Sequence, residues 1–125
     1  MDDRTIFLRL DGSGGPPPDR SYSIVVGRGI LGRTGTLLQA AGNRRAVVIA
    51  DAAVAEPHAA AVVASLEAAG LEASLLTVPS GEASKSLAEA GRLWETLARL
   101  GIDRQTVIIA VGGGVVGDLA GFVAA

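Results

Sequence analysis

The chain has 125 residues, no cysteine, 49% hydrophobic and 19% charged residues, and a net charge of −2. That balance excludes a wholly disordered chain, a disulfide framework, a thiolate nucleophile and a Cys-based zinc site, and it supplies no global field for nucleic acid or anionic lipid. One ordinary domain accounts for the length. The opening Met1-Asp2-Asp3-Arg4 is acidic where a secretory leader is basic, so the cytoplasm is the default compartment.

In chain order, Ile6 to Leu10 and Tyr22 to Val26 are β-prone runs separated by the Gly/Pro-rich stretch Asp11 to Asp19, which predicts a β-hairpin. From Arg45 the pattern alternates. Ala46 to Ala50 predicts a buried strand, Glu56 to Ala69 an alanine-rich helix ended by Gly70, and Ala73 to Val78 a second strand broken by Pro79-Ser80-Gly81. Leu87, Ala90, Trp94 and Leu97 then fall at helical spacing, which predicts a helix with Trp94 in the core. Thr106 to Val111 is the most apolar strand candidate, and Val115 to Ala125 opens a further helix. Strands alternating with helices predict a Rossmann-like α/β fold: a mostly parallel sheet with helices on both faces, preceded by the hairpin. The last helix reaches Ala125 with no cap and no breaker, so the sequence is expected to be cut short there. Thr106 to Ala125 carries one charge, Asp118, but its glycines and that central aspartate argue against a membrane span.

Chemistry concentrates at three places. Gly112-Gly113-Gly114-Val115-Val116-Gly117-Asp118 sits where an apolar strand turns into a helix. Glycines there let backbone approach a ligand, and the helix presents unpaired N–H groups, which suits a pyrophosphate; the same residues would equally serve a tight turn that packs helix on sheet. Asp118, expected in the first turn, can favour the dipole or accept a ligand hydroxyl. Asp51, just after a strand, is placed either for a ribose or for an N-cap. Glu82 and Lys85 flank a loop-to-helix junction, and Lys85 is the only lysine beside ten arginines; a compact ammonium or a surface ion pair both explain it. Ser86 with Glu89 matches a capping box. His58 has no second histidine and is a poor basis for a metal site.

Taken together, Pro79-Ser80-Gly81-Glu82-Ala83-Ser84-Lys85-Ser86, Gly101-Ile102-Asp103-Arg104 and the segment from Gly112 to Ala125 closely resemble 3-dehydroquinate synthase, from about Tyr22 to the last residue. The resemblance implies an N-terminal NAD-binding α/β domain, here residues 1–125, whose C-terminal helical partner domain lies beyond Ala125. It implies that Gly113, Gly114 and Asp118 contact the NAD pyrophosphate and ribose, that Asp51 serves the adenosine side, and that Glu82 and Lys85 contact the cofactor. Relatives often carry a polar residue two positions after that aspartate; here it is Ala53. The implied reaction converts 3-deoxy-D-arabino-heptulosonate 7-phosphate to 3-dehydroquinate and phosphate through transient oxidation by NAD, in the shikimate pathway. The divalent metal, zinc or cobalt, and the catalytic groups are expected on the missing domain. This chain is therefore expected to hold no metal ligand or catalytic residue and to be inactive alone. A small sugar phosphate is the implied partner, with neither nucleic acid nor membrane, and a homodimer is one state the full-length enzyme could adopt. Other readings are another sugar-phosphate cyclase, a glycerol-dehydrogenase-like metal-dependent enzyme, or a non-catalytic nucleotide-binding module.

Overall fold

A computed structural model describes residues 4–8 and 22–125, which fall into two compact units, one ending at Ile30 and one spanning Leu31–Ala125. In the first unit, β1 (Arg4–Leu8) pairs antiparallel with β2 (Tyr22–Val26), Ile6 opposite Ile24. The expected hairpin partners are present, with β1 starting two residues earlier than the apolar run suggested; the Gly/Pro-rich connection lies outside the described residues.

The second unit is organised by β3 (Arg45–Asp51), whose residues Ala46 to Ala50 are all at 0% exposure. It pairs in parallel with β4 (Glu72–Val78) on one side and β5 (Val107–Val111) on the other. The strand order β4-β3-β5 makes β3 central. Successive side chains of a strand point to opposite faces. Val47 and Ile49 accordingly join Leu93 and Leu97 of α3 (Leu87–Arg99) and Val116, Leu119 and Val123 of α4 (Gly114–Ala124). Ala46, Val48 and Ala50 join Val62 and Leu66 of α2 (Ala60–Ala68), with Leu38 of α1 (Thr34–Ala40) packed behind. Helices thus cover both faces of an all-parallel sheet, the architecture in which a strand must be apolar throughout. Each fully buried Val, Ile or Leu contributes about 1.5–3 kcal/mol, so the β3 triplet Val47-Val48-Ile49 is a large part of what holds this unit together.

Two local expectations change, and one helix has no counterpart in the sequence reading. Helix α1 carries no strong periodicity and is fixed instead by a distant contact. The Gly35 N–H donates to Ser65 Oγ at 2.9 Å, and Ser65 Oγ donates to the Gly32 carbonyl at 2.7 Å. A Cβ on Gly35 would stand 2.0 Å from the Ser65 carbonyl oxygen, so only glycine lets α1 lie this close to α2. The helix predicted from Glu56 does not start there: Glu56 is extended (φ −111°, ψ 127°), because Pro57 disfavours a helical residue before it, and the turn Ala55–Ala59 leads into α2. On α3, burial follows Ala90, Leu93 and Leu97, whereas Leu87 and Trp94 are 78% and 44% exposed. Trp94 is therefore not a core residue. Its indole N–H donates to the Val123 carbonyl at 3.1 Å, and its ring leans on Phe122 with centroids 5.6 Å apart. Among the described residues no helix is long and apolar enough to cross a membrane.

Candidate functional site

The chain runs from β3 through α2 to β4 on one side, then returns through α3 to β5 on the opposite side of β3. The direction of winding reverses between β3 and β5, and a crevice forms outside the carboxyl ends of such strands. Asp51 ends β3 and Gly112 follows β5, whose Val111 pairs with Ala50. The two expected site positions are therefore neighbours: a Cβ built on Gly112 would lie 3.3 Å from Asp51 Cβ and 3.1 Å from Val116 Cγ2. With φ at +150°, Gly112 has a conformation that favours glycine, and a side chain there would press on both neighbours.

Gly113 and Gly114 differ. A Cβ on either would meet nothing within 4 Å, and Gly113 lies at φ −88°, so neither packing nor conformation demands its bareness. They face open space at the head of α4. The first N–H within α4 to find a helical acceptor is that of Gly117, which donates to the Gly113 carbonyl at 3.1 Å. The N–H groups of Gly114, Val115 and Val116 precede it and have no acceptor within the helix, and no side chain caps this end. A helix N-terminus of this kind accommodates a phosphate-like anion, since donors and partial positive charge point the same way. The glycines of the turn therefore differ in what surrounds them: Gly112 is packed between Asp51 and Val116, while Gly113 and Gly114 border open space.

Asp51 also combines roles. Its Oδ1 accepts from the Ala53 N–H at 2.8 Å, capping the short 3₁₀ turn Ala52–Val54, and from the hydroxyl of Ser80 beyond the end of β4. The Ser80 hydrogen bond, and then that of Ala53, hold this carboxyl below the usual aspartate range, against a smaller opposing effect of burial. Sequence reasoning missed Ser80. It lies 29 positions from its partner, and only strand register brings the two together.

Glu82 opens a 3₁₀ turn, Glu82–Ser84, entered through Gly81 at φ +99°. Ser84 is buried and its hydroxyl donates to the Pro79 carbonyl, which closes the loop on itself. The turn delivers Lys85 to Asp118, Nζ to Oδ2 at 2.7 Å, with the two side chains 47% and 63% exposed. The hydrogen bond to Asp118, then its charge, raises the Lys85 pKa; Glu82 adds a smaller pull and desolvation opposes it. Asp118 is the fifth residue of α4 rather than part of its first turn, so its work is done on Lys85 and not on the dipole. The ion pair borders a cleft of about 330 Å³ that is also lined by Leu87, Leu119 and Phe122. Leu87, which helical spacing placed on the apolar stripe of α3, stands at this cleft instead, and Phe122 is a further residue here to which sequence reading gave no role.

Ser86 caps α3 by accepting from the Glu89 N–H at 3.2 Å, but Glu89 does not complete the box: its carboxylate binds Arg92 at 2.8 Å. His58 is exposed on the turn before α2, and among the described residues no three His, Asp or Glu side chains converge to hold a metal.

Comparison with known proteins finds a similar arrangement in sugar-phosphate cyclases. A solved 2-deoxy-scyllo-inosose synthase, complexed with carbaglucose-6-phosphate, NAD+ and Co2+, superposes with a TM-score of 0.75 at 26% identity, covering 84% of this chain and 28% of that one. The family described as 3-dehydroquinate synthase N-terminal matches residues 75–125. 3-Dehydroquinate synthase of Symbiobacterium thermophilum is 46% identical over 109 residues, 86% of this chain and 30% of the relative. The chain is similar to the N-terminal portion of 3-dehydroquinate synthases and spans about 30% of the length of that relative. A 2-epi-valiolone synthase of Stigmatella aurantiaca is 43% identical over 107 residues, 82% of this chain and 26% of the relative.

Proposed function

We propose that this chain is the NAD-binding part of a 3-dehydroquinate synthase, and that residues 1–125 belong to one cofactor-binding α/β domain. The observation that carries the reading is the open space before Gly113 and Gly114, at a bare helix N-terminus in the crevice where Asp51 also ends. In this reading the amides at the head of α4 receive the diphosphate, and the Asp51 carboxylate accepts a hydroxyl of the adenosine ribose. Asp118 and Lys85 contact the ribose and phosphate, with Glu82 opening the turn that presents Lys85. The donor set suits the group: N–H donors and one ammonium for the anion, carboxylates for the hydroxyls. NAD, when bound, would transiently accept a hydride from the carbon that bears a ring hydroxyl of the substrate, that hydroxyl losing its proton as the carbonyl forms. The residues of this chain bind and orient; they do not themselves move the proton or expel phosphate.

The complete enzyme is read as converting 3-deoxy-D-arabino-heptulosonate 7-phosphate to 3-dehydroquinate and phosphate. The residues described here do not fit a divalent metal, and the ligands for one are assigned to the rest of the enzyme. The 125-residue chain is accordingly expected to release no phosphate from that substrate. A second reading, a cyclase acting on a different sugar phosphate, is supported by the likeness to 2-epi-valiolone synthase. Two measurements test the proposal. Titration with NAD, followed by amide NMR, should shift the Gly112 to Gly114 resonances saturably; shifts confined to other regions would sink the cofactor assignment. Assay of the full-length enzyme against the heptulosonate phosphate should yield 3-dehydroquinate, and turnover of another sugar phosphate in its place would favour the second reading.

A further inference from the structure

We infer that Ser80 is a positioning residue of the nucleotide site: its hydroxyl, donated across the sheet edge to Asp51 Oδ1, fixes the carboxylate so that Oδ2 is the oxygen offered to a ligand hydroxyl. The inference rests on the reading of Asp51 as the ribose acceptor. An aspartate at the end of a strand can turn about two side-chain torsions, and an N-cap bond restrains it through its own turn alone. Here the N-cap is already made, Ala53 N–H to Oδ1 at 2.8 Å. The Ser80 bond arrives from a different element, one residue past Pro79 at the end of β4, and reaches the same oxygen. Two donors on Oδ1 leave the other oxygen with its acceptor capacity for a ligand.

Surroundings support this division. Asp51 Cβ lies 3.3 Å from where a Cβ on Gly112 would stand, which sets the carboxylate beside the glycine turn. Ser80 itself is exposed, and its loop is closed independently by the Ser84 hydroxyl on the Pro79 carbonyl. The Ser80 hydroxyl is therefore not needed to shape the loop that carries it. A ribose-binding carboxylate gains affinity from being held in one rotamer before the ligand arrives, because the ordering cost is then met in the folded protein.

A coupling cycle separates positioning from a merely structural tie between strand ends. The probes are ADP, which carries the adenosine ribose and a diphosphate, and 2′,3′-dideoxy-ADP, which lacks both hydroxyls. Both are titrated by amide NMR into the 125-residue chain and its Ser80→Ala, Ser80→Thr and Asp51→Asn variants. The wild-type chain should prefer ADP by roughly ten-fold. Ser80→Ala should lose roughly five-fold on ADP and nothing on the dideoxy analogue, and Ser80→Thr should restore the preference. Equal weakening of both probes by Ser80→Ala, or no change in either, would overturn the inference. Should Ser80→Ala fail to fold, Ser80→Cys keeps the size while giving up the strong donor, and the same two outcomes decide. Failure of the underlying reading looks different. If NAD does not move the Gly112 to Gly114 amides of the wild-type chain, or if Asp51→Asn binds ADP unchanged, both ideas fall; if those hold and only Ser80→Ala is silent, the inference alone falls.

Discussion

Two helices on the same face of the sheet begin in opposite ways. Helix α3 is closed at its start by Ser86, which takes the Glu89 N–H, and Glu89 brings a negative charge into its first turn. Helix α4 starts at a glycine with no side-chain cap and no acid in its first turn. The first has one of its donors taken by its own N-cap and is a structural end. The second leaves donors and positive charge facing open space, at the carboxyl edge where Asp51 and Gly112 meet. The absence of a cap is thus a property of place: capping residues were available to this chain, and α3 shows one in use.

The comparison can be broken most forcefully at Gly112. Gly112→Ala adds a methyl within 3.3 Å of Asp51 and Val116 at a backbone angle that disfavours it. A loss of about 2–3 kcal/mol in urea unfolding is expected, with NAD shifts at the turn lost as well. Gly113→Asp sharpens the contrast, because a side chain there meets nothing within 4 Å. Supplying α4 with the cap it lacks should raise stability by a few tenths of a kcal/mol while weakening NAD binding by about ten-fold or more, since the new carboxylate occupies the donors and repels the anion. Ser86→Ala removes the cap from α3 and should cost about 1 kcal/mol in the same unfolding experiment.

Smaller effects are expected from pH. Asp51 has a lowered pKa in the fold, so its contribution to stability is present above the unfolded value near 4 and is lost as pH falls through the folded one. The acid limb of the thermal melting profile should flatten in Asp51→Asn. Lys85 has a raised pKa, so its contribution is complete below the unfolded value of about 10.4 and fades as pH rises through the folded value. Lys85→Met should flatten the alkaline limb. Both side chains are accessible to solvent, and the Lys85–Asp118 share should shrink further in salt.

How much of this was legible follows from what kind of interaction fixes each part. Strand β3 could be read directly, because five apolar residues with no polar interruption fit a strand covered on both faces. The turn after β5 was legible as well, its glycines and the following helix being contiguous. Helix α1 was not: seven residues of weak pattern are held by Gly35 against Ser65, thirty positions away. Trp94 misled because helical spacing identifies a stripe without saying how wide it is, and α3 buries only Ala90, Leu93 and Leu97. The candidate site divides likewise. Asp51 and Gly112 to Gly114 announced themselves by standing at strand ends, whereas Ser80 became visible only once β3 and β4 were in register.

The obstruction at Gly35 is a main-chain oxygen, and that sets it apart from crowding between side chains. Where two side chains clash, a smaller neighbour can make room, and a pair of positions drifts together over generations. No replacement at position 65 moves its own carbonyl, so a smaller side chain there would make no room at position 35. Redesign of this surface can vary the outward faces of α1 and α2 but must keep that one hydrogen atom where it is.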